Sequence, residues 1–153
     1  MNHAFSKIGI IVILVALVVG GILAWQYLQA PKEEIKFTYN IEECVEERGL
    51  LSSEKLIIHS EEHQISIGGF YDSYCNMKPE DTLYMTHEKK ENEIIFKIVV
   101  DPKGEPVARC ICPFGVSGKI ENLTPGKYQV KIVAENKYVN QTEVVQTEEI
   151  EVK

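Results

Sequence analysis

Basic side chains are scarce in this sequence: 16 Lys and Arg stand against 23 Asp and Glu in 153 residues, a formal net charge of −7. Nucleic-acid binding needs a clustered basic face to neutralise phosphates, and no such cluster occurs here, so nucleic acid is not an expected partner. Docking onto anionic lipid by charge is disfavoured for the same reason. The sequence also lacks Gly-x-Ser-x-Gly, His-Glu-x-x-His and the phosphate-binding loop. Those spacings bring a nucleophile to its base, two imidazoles to one zinc, or backbone N–H groups to a phosphate. No nucleophile with a positioned base emerges from what remains, which predicts a non-catalytic protein without a cofactor. There is no internal repeat and no low-complexity tract.

Long apolar runs are confined to one place. Ile8 to Leu28 reads IGIIVILVALVVGGILAWQYL, 21 residues without a charge. As a helix rising 1.5 Å per residue it would span roughly 30 Å, the thickness of a bilayer's hydrocarbon core. Trp25 and Tyr27 fall where interfacial aromatics sit, Lys7 precedes the run, and Glu33 and Glu34 follow it. This bias predicts a cytoplasmic N-terminus and an exported C-terminal domain. The expected organisation is therefore a cytoplasmic tip (1–7), a transmembrane anchor (8–28), a linker (29–34) and an extracytoplasmic domain (35–153). The protein would be a single-pass protein of the cell membrane, with the lipid bilayer as partner through its first helix. The alternative is a cleaved signal peptide, for which the apolar run is long and Pro31 badly placed. No cysteine lies near the end of the run, so a bacterial lipid-anchor site is absent.

The 123 residues from Pro31 onward carry all 23 acidic and 15 of the 16 basic side chains, a net charge of −8. The length suits one domain with one core. Apolar residues now alternate instead of running on. Ile35, Phe37, Tyr39 and Ile41 alternate with Lys36, Thr38 and Asn40, the pattern of a half-buried strand. Cys44 to Leu51 reads equally as loop or helical turn. Further strands are expected at Lys55–His59, Gln64–Phe70, Thr82–His87, Glu93–Val100, Val107–Ile120, Gly126–Ala134 and Glu143–Val152. Gly68-Gly69 signals a bulge or bend, Gly115 and Gly118 a bend, and Tyr71–Asp81 a loop. Ala108 to Val130 reads as two neighbouring strands joined by Leu123-Thr-Pro-Gly126. Seven to nine short strands with turn signals every 8–14 residues favour an all-β, antiparallel sandwich. The last run, TEVVQTEEIEVK, suits an edge strand whose glutamates discourage edge-to-edge pairing.

Four cysteines in an exported domain suggest two disulfides. Cys110 and Cys112 are two apart on one strand, about 7 Å between Cα atoms and beyond comfortable bridging. Cys44 and Cys75 would each join one of Cys110 and Cys112, in an order the sequence leaves open. Each bridge would close a loop of several tens of residues, worth roughly 3–4 kcal/mol on the loop-entropy model. An alternative is an extracytoplasmic zinc or copper site using Cys44, Cys75, Cys110 and Cys112 with His59 or His63. A third is a thiol oxidoreductase, which needs an exposed cysteine of low pKa. His59 and His63 are four apart, a helical spacing, in a segment expected to be a hairpin. His3 and His87 have no evident partner and are expected to be solvated. Asn122-Leu-Thr124 and Asn140-Gln-Thr142 fit the N-glycosylation sequon, the first weakened by Pro125.

Ile120, Leu123, Pro125, Gly126, Tyr128 and Val130 spell I-x-x-L-x-P-G-x-Y-x-V. This resembles the turn-and-strand signature of immunoglobulin-like and fibronectin type III-like exported domains, where the tyrosine anchors a corner. The resemblance implies an immunoglobulin-like sandwich and no activity. Ile65-x-Ile67, Tyr74-Cys75, Ala108-x-Cys110-x-Cys112 and the same proline-glycine turn also resemble small bacterial cell-envelope proteins with a Cys-x-Cys strand. That likeness covers about Ile65 to Ala134. The sequence thus predicts a membrane-anchored, disulfide-stabilised binding or structural module of the envelope. Its expected partner is another envelope protein or a polysaccharide.

Overall fold

The computed structural model describes residues 34–44 and 56–153. The expected tip, the anchor at 8–28, most of the linker and all but the first residue of Cys44–Leu51 lie outside them. Among the described residues no helix is long and apolar enough to cross a membrane. They form eight strands: β1 (Lys36–Cys44), β2 (Ile57–Glu61), β3 (Gln64–Tyr74), β4 (Leu83–Lys90), β5 (Glu93–Val100), β6 (Ile111–Glu121), β7 (Gly126–Asn136) and β8 (Gln141–Val152). Two four-stranded sheets result, ordered β1-β6-β3-β2 and β4-β5-β7-β8. The chain is all-β here, with the sandwich-like pair of sheets that the alternating runs predict.

Alternation decides which side chains meet between the sheets. Ile65, Ile67, Phe114, Val116 and Ile120 of the first sheet and Met85, Ile94, Phe96, Ile98, Val130 and Ile132 of the second are all buried. Each such side chain contributes roughly 1.5–3 kcal/mol when removed from water. Gly118 occupies an inward position in the middle of β6. A Cβ there would stand 2.9 Å from Met85 Cε and 3.4 Å from Phe96 Cδ1, so its bare Cα is what lets the facing sheet approach. Gly115 similarly lies under the Glu42 side chain, whose Cβ would be 3.2 Å from an added methyl. The two glycines thus permit close contacts.

Three expectations of pairing change. First, β6 and β7 are not neighbours in a sheet: Leu123-Thr-Pro-Gly126 carries the chain from one sheet to the other. Leu123 is buried in that corner, and the Tyr128 hydroxyl donates to the Thr124 carbonyl oxygen (2.8 Å). Second, of six strand pairings five are antiparallel, but β5 and β7 run parallel, Phe96 beside Ile132. Parallel neighbours need a crossover, and β6 in the opposite sheet supplies it. Third, no register shift occurs at Gly68-Gly69, where β3 pairs regularly with β6 as far as Tyr74, into the expected loop. The irregularities fall instead in β1, between Ile41 and Cys44, and where β8 passes Ile132 and Val133.

Candidate functional site

Both cross-links converge on the start of β6. Phe37, Tyr39 and Ile41 point inward along β1, and regular alternation would bring Glu43 inward next. The β1 irregularity delays the pattern, so that Cys44 lies opposite Phe114. From there it bonds Cys112, an inward residue only 3% exposed (Cα–Cα 5.8 Å). Cys75 follows β3 and Cys110 precedes β6, and the two are bonded with Cα atoms 5.6 Å apart. Their backbones extend the β3–β6 ladder by one hydrogen bond, Cys75 N–H to the Cys110 carbonyl oxygen (3.2 Å). Asn76 then clamps the incoming loop: its Nδ2 donates to Pro106 O (3.0 Å) and its Oδ1 accepts from Ala108 N–H (2.9 Å). The order left open by the sequence is therefore Cys44–Cys112 and Cys75–Cys110. All four sulfurs are in S–S bonds. Among the described residues no group of three His, Cys, Asp or Glu side chains is placed to hold a metal ion.

The two histidines of the proposed metal set lie on a hairpin. His59 stands exposed on β2, and His63 follows in the turn with φ of +59°. His59-Ser-Glu-Glu62-His63 spells His-x-x-Glu-His, a zinc-protease order that works only when a helix turns both imidazoles to one side. On this hairpin His63 has a different task. Its Nδ1 donates to Leu123 O (3.0 Å), its carbonyl accepts from Leu123 N–H (2.9 Å), and its N–H donates to Lys153 O (3.3 Å). It ties the β2–β3 turn to the inter-sheet corner and to the end of the chain. His87, expected to be solvated, is instead half-buried and packs on Phe37 with ring centroids 4.5 Å apart.

Open depressions lie among the described residues, two of them well defined. One of about 470 Å³ lies on the outer face of the first sheet among Thr38, Asn40, His59, Ser66, Gly68, Ser117 and Lys119. The other, about 660 Å³, lies beside the β4–β5 turn, lined by Lys90 to Glu93 with Lys127, Gln129 and Glu149. Of the two sequons, the first is engaged: Asn122 Nδ2 donates to Glu34 O (3.0 Å), and Thr124 Oγ1 and Tyr128 OH share a hydrogen bond (3.0 Å). Asn140 is exposed in the β7–β8 turn, with φ of +52°.

The β7–β8 turn and the start of β8 hold a group that the sequence reading did not single out. Tyr138, Val139, Val144 and Val145 are each about half exposed, from 46% to 56%. Tyr74 meets Tyr138 edge-on at 6.2 Å. Val133 pairs with Val144 and Ile132 with Gln146, leaving Val145 as an extra residue in β8. That bulge reverses the alternation, turning Val144 outward and Glu143 toward Tyr71. Burial, then the Glu143 carboxylate, raises the Tyr71 phenol above its ordinary value. Two adjacent valines inside a polar alternating strand were the available signal, because neighbours in a regular strand face opposite sides.

No family model, no curated protein and no solved structure matches the chain.

Proposed function

We propose that the chain is a single-pass membrane protein with a cytoplasmic N-terminus. Its β domain is an extracytoplasmic, non-catalytic binding or structural module of the cell envelope. The pair of bridges, Cys44–Cys112 and Cys75–Cys110, carries this reading. Disulfides persist in oxidising compartments, and the apolar run Ile8–Leu28 is long enough to deliver the domain to one. Sulfurs held in S–S bonds also disfavour the metal alternative, which needs thiolates.

The immunoglobulin-like likeness is supported by the Tyr128 corner, in which a buried phenol bonds the backbone four residues upstream. The parallel β5–β7 pair is a departure from a wholly antiparallel sandwich of that kind. A reporter fused after Lys153 tests the topology. Alkaline phosphatase, which folds only where disulfides form, is expected to be active there. An inactive phosphatase with an active cytoplasmic reporter at the same position would overturn the reading.

A further inference from the structure

Among the described residues six large apolar side chains stand about half exposed: Ile57, Ile111, Tyr138, Val139, Val144 and Val145. Four of them lie within eight residues of sequence. A fifth, Ile111, pairs with Tyr74, whose ring meets Tyr138. The group is thus the four residues of the β7–β8 turn and the start of β8, which Ile111 reaches only through Tyr74, from the outer face of the other sheet. Scattered exposed apolar residues need no explanation, but a contiguous group marks an interaction surface.

The strand that carries this group is also an open edge. β8 pairs with β7 on one side and ends its sheet on the other, so half of its backbone N–H and C=O groups face outward. Native edges are commonly blocked by shortness, proline, charged side chains or a bulge. β8 has 12 residues and no proline; its Val145 bulge and its glutamates guard it against another acidic edge, while the glutamates leave it open to a basic one. It carries Glu143, Glu148, Glu149 and Glu151, of which Glu149 alone pairs with a lysine, Lys127, among the described residues.

We propose that β8 is a docking edge for an extended, basic polypeptide segment, added as a further strand antiparallel or parallel to β8. Val144, Val145 and Tyr138 take the partner's apolar side chains, and the glutamates take its Lys or Arg. The inference rests on the binding-module reading and names its partner's chemistry. A second copy of the chain fits less well, because β8 against β8 sets glutamates near glutamates with no lysine between them. A bilayer surface fits less well because the same acids repel anionic headgroups.

The test uses the full chain in neutral phosphatidylcholine nanodiscs, with both bridges first verified by the absence of alkylation. The ligand is a short fluorescein-labelled peptide of alternating Val and Lys, with a Val–Glu peptide as control. Saturable anisotropy change is expected, weakened by salt and absent for the Val–Glu peptide. Amide-exchange protection should centre on 141–152. V144T/V145T and E148K/E149K should each weaken binding by about tenfold or more. All four positions are exposed, and unchanged melting curves would show that the variants are folded. Several results would overturn the proposal: no saturable binding, protection elsewhere, equal binding of the acidic peptide, or variants that bind as well as the parent. Concentration-dependent self-association lost in V144T/V145T would assign the patch to a second copy instead. Uptake by phosphatidylglycerol vesicles lost in the same variant would assign it to lipid. Free thiols at the first step would defeat the exported-module reading itself, whereas formed bridges without peptide binding would defeat the docking edge alone.

Discussion

Tyr128, Ser73 and Thr82 carry the buried hydroxyls among the described residues, and the first two differ in what they meet. Tyr128 is 2% exposed and donates to Thr124 O, closing the corner between the sheets. Ser73 is 4% exposed, and its Oγ has no hydrogen-bond partner among the described residues. Removing a paired buried hydroxyl strands its acceptor, while removing an unpaired one relieves a desolvation cost. Tyr128→Phe is therefore expected to cost about 1–2 kcal/mol, roughly 3–8 °C in Tm. Ser73→Ala should leave Tm unchanged or raise it. Paired thermal melts check both, and a large loss in Ser73→Ala would show a bond that this structure does not contain. The tyrosine was legible in the sequence because Leu-x-Pro-Gly-x-Tyr ties it to a turn. The serine was not, because Asp72-Ser-Tyr-Cys75 looks polar and only the β3–β6 register reveals that Ser73 points inward beside Cys112.

At the level of elements, strand existence was readable and strand partnership was not. Alternation located β1, β4, β5, β7 and β8 to within a few residues, because one wet and one dry face write themselves into sequence at period two. Nothing in that period says which sheet a strand joins. Leu123-Thr-Pro-Gly126 has the composition of a hairpin turn, yet the buried Leu123 and the Tyr128 bond make it a corner. Cys44 is likewise out of phase with Phe37, Tyr39 and Ile41, a signal of the β1 irregularity that reading Cys44–Leu51 as loop or helical turn passes over. The two bridges close 68 and 35 residues of chain, which the loop-entropy model values at about 4 kcal/mol each. They differ more in access. Cys110 is exposed at the mouth of the 101–110 loop, whereas Cys112 is sealed at 3% exposure. Thiol–disulfide exchange requires approach of a thiolate along the S–S axis. Under native conditions with graded dithiothreitol, Cys75 and Cys110 should be alkylated before Cys44 and Cys112. Simultaneous labelling, or the reverse order, would contradict this placement.

Among the described residues the acidic balance is partly organised into surface ion pairs. Lys103 holds the Asp81 carboxyl below its ordinary range, Lys97 does so for Glu88, Lys137 for Asp101 and Lys119 for Glu121. A depressed carboxylate contributes stability that is complete above its unfolded pKa and is lost as pH falls through the folded one. Lys137 is raised by the Tyr84 hydroxyl and then by Asp101, and Lys103 by Asp81. A raised lysine contributes stability that is complete below its unfolded pKa and fades as pH rises through the folded one. Tm should therefore hold a plateau between about pH 5 and pH 9 and fall below about pH 4, with added salt flattening the curve. A Tm that rises on acidification would contradict the assigned pairs.

One measurement tests directly whether the domain is oxidised and exported. The full chain is extracted from membranes under an alkylating agent, denatured without reductant and mapped by mass spectrometry, with metal content read on the same sample. No free thiol is expected, and two linked peptide pairs, Cys44 with Cys112 and Cys75 with Cys110. Four free thiols with stoichiometric zinc or copper would contradict that expectation and make this a metal protein. Four free thiols without metal would contradict it too, placing the domain on the reducing side of the membrane.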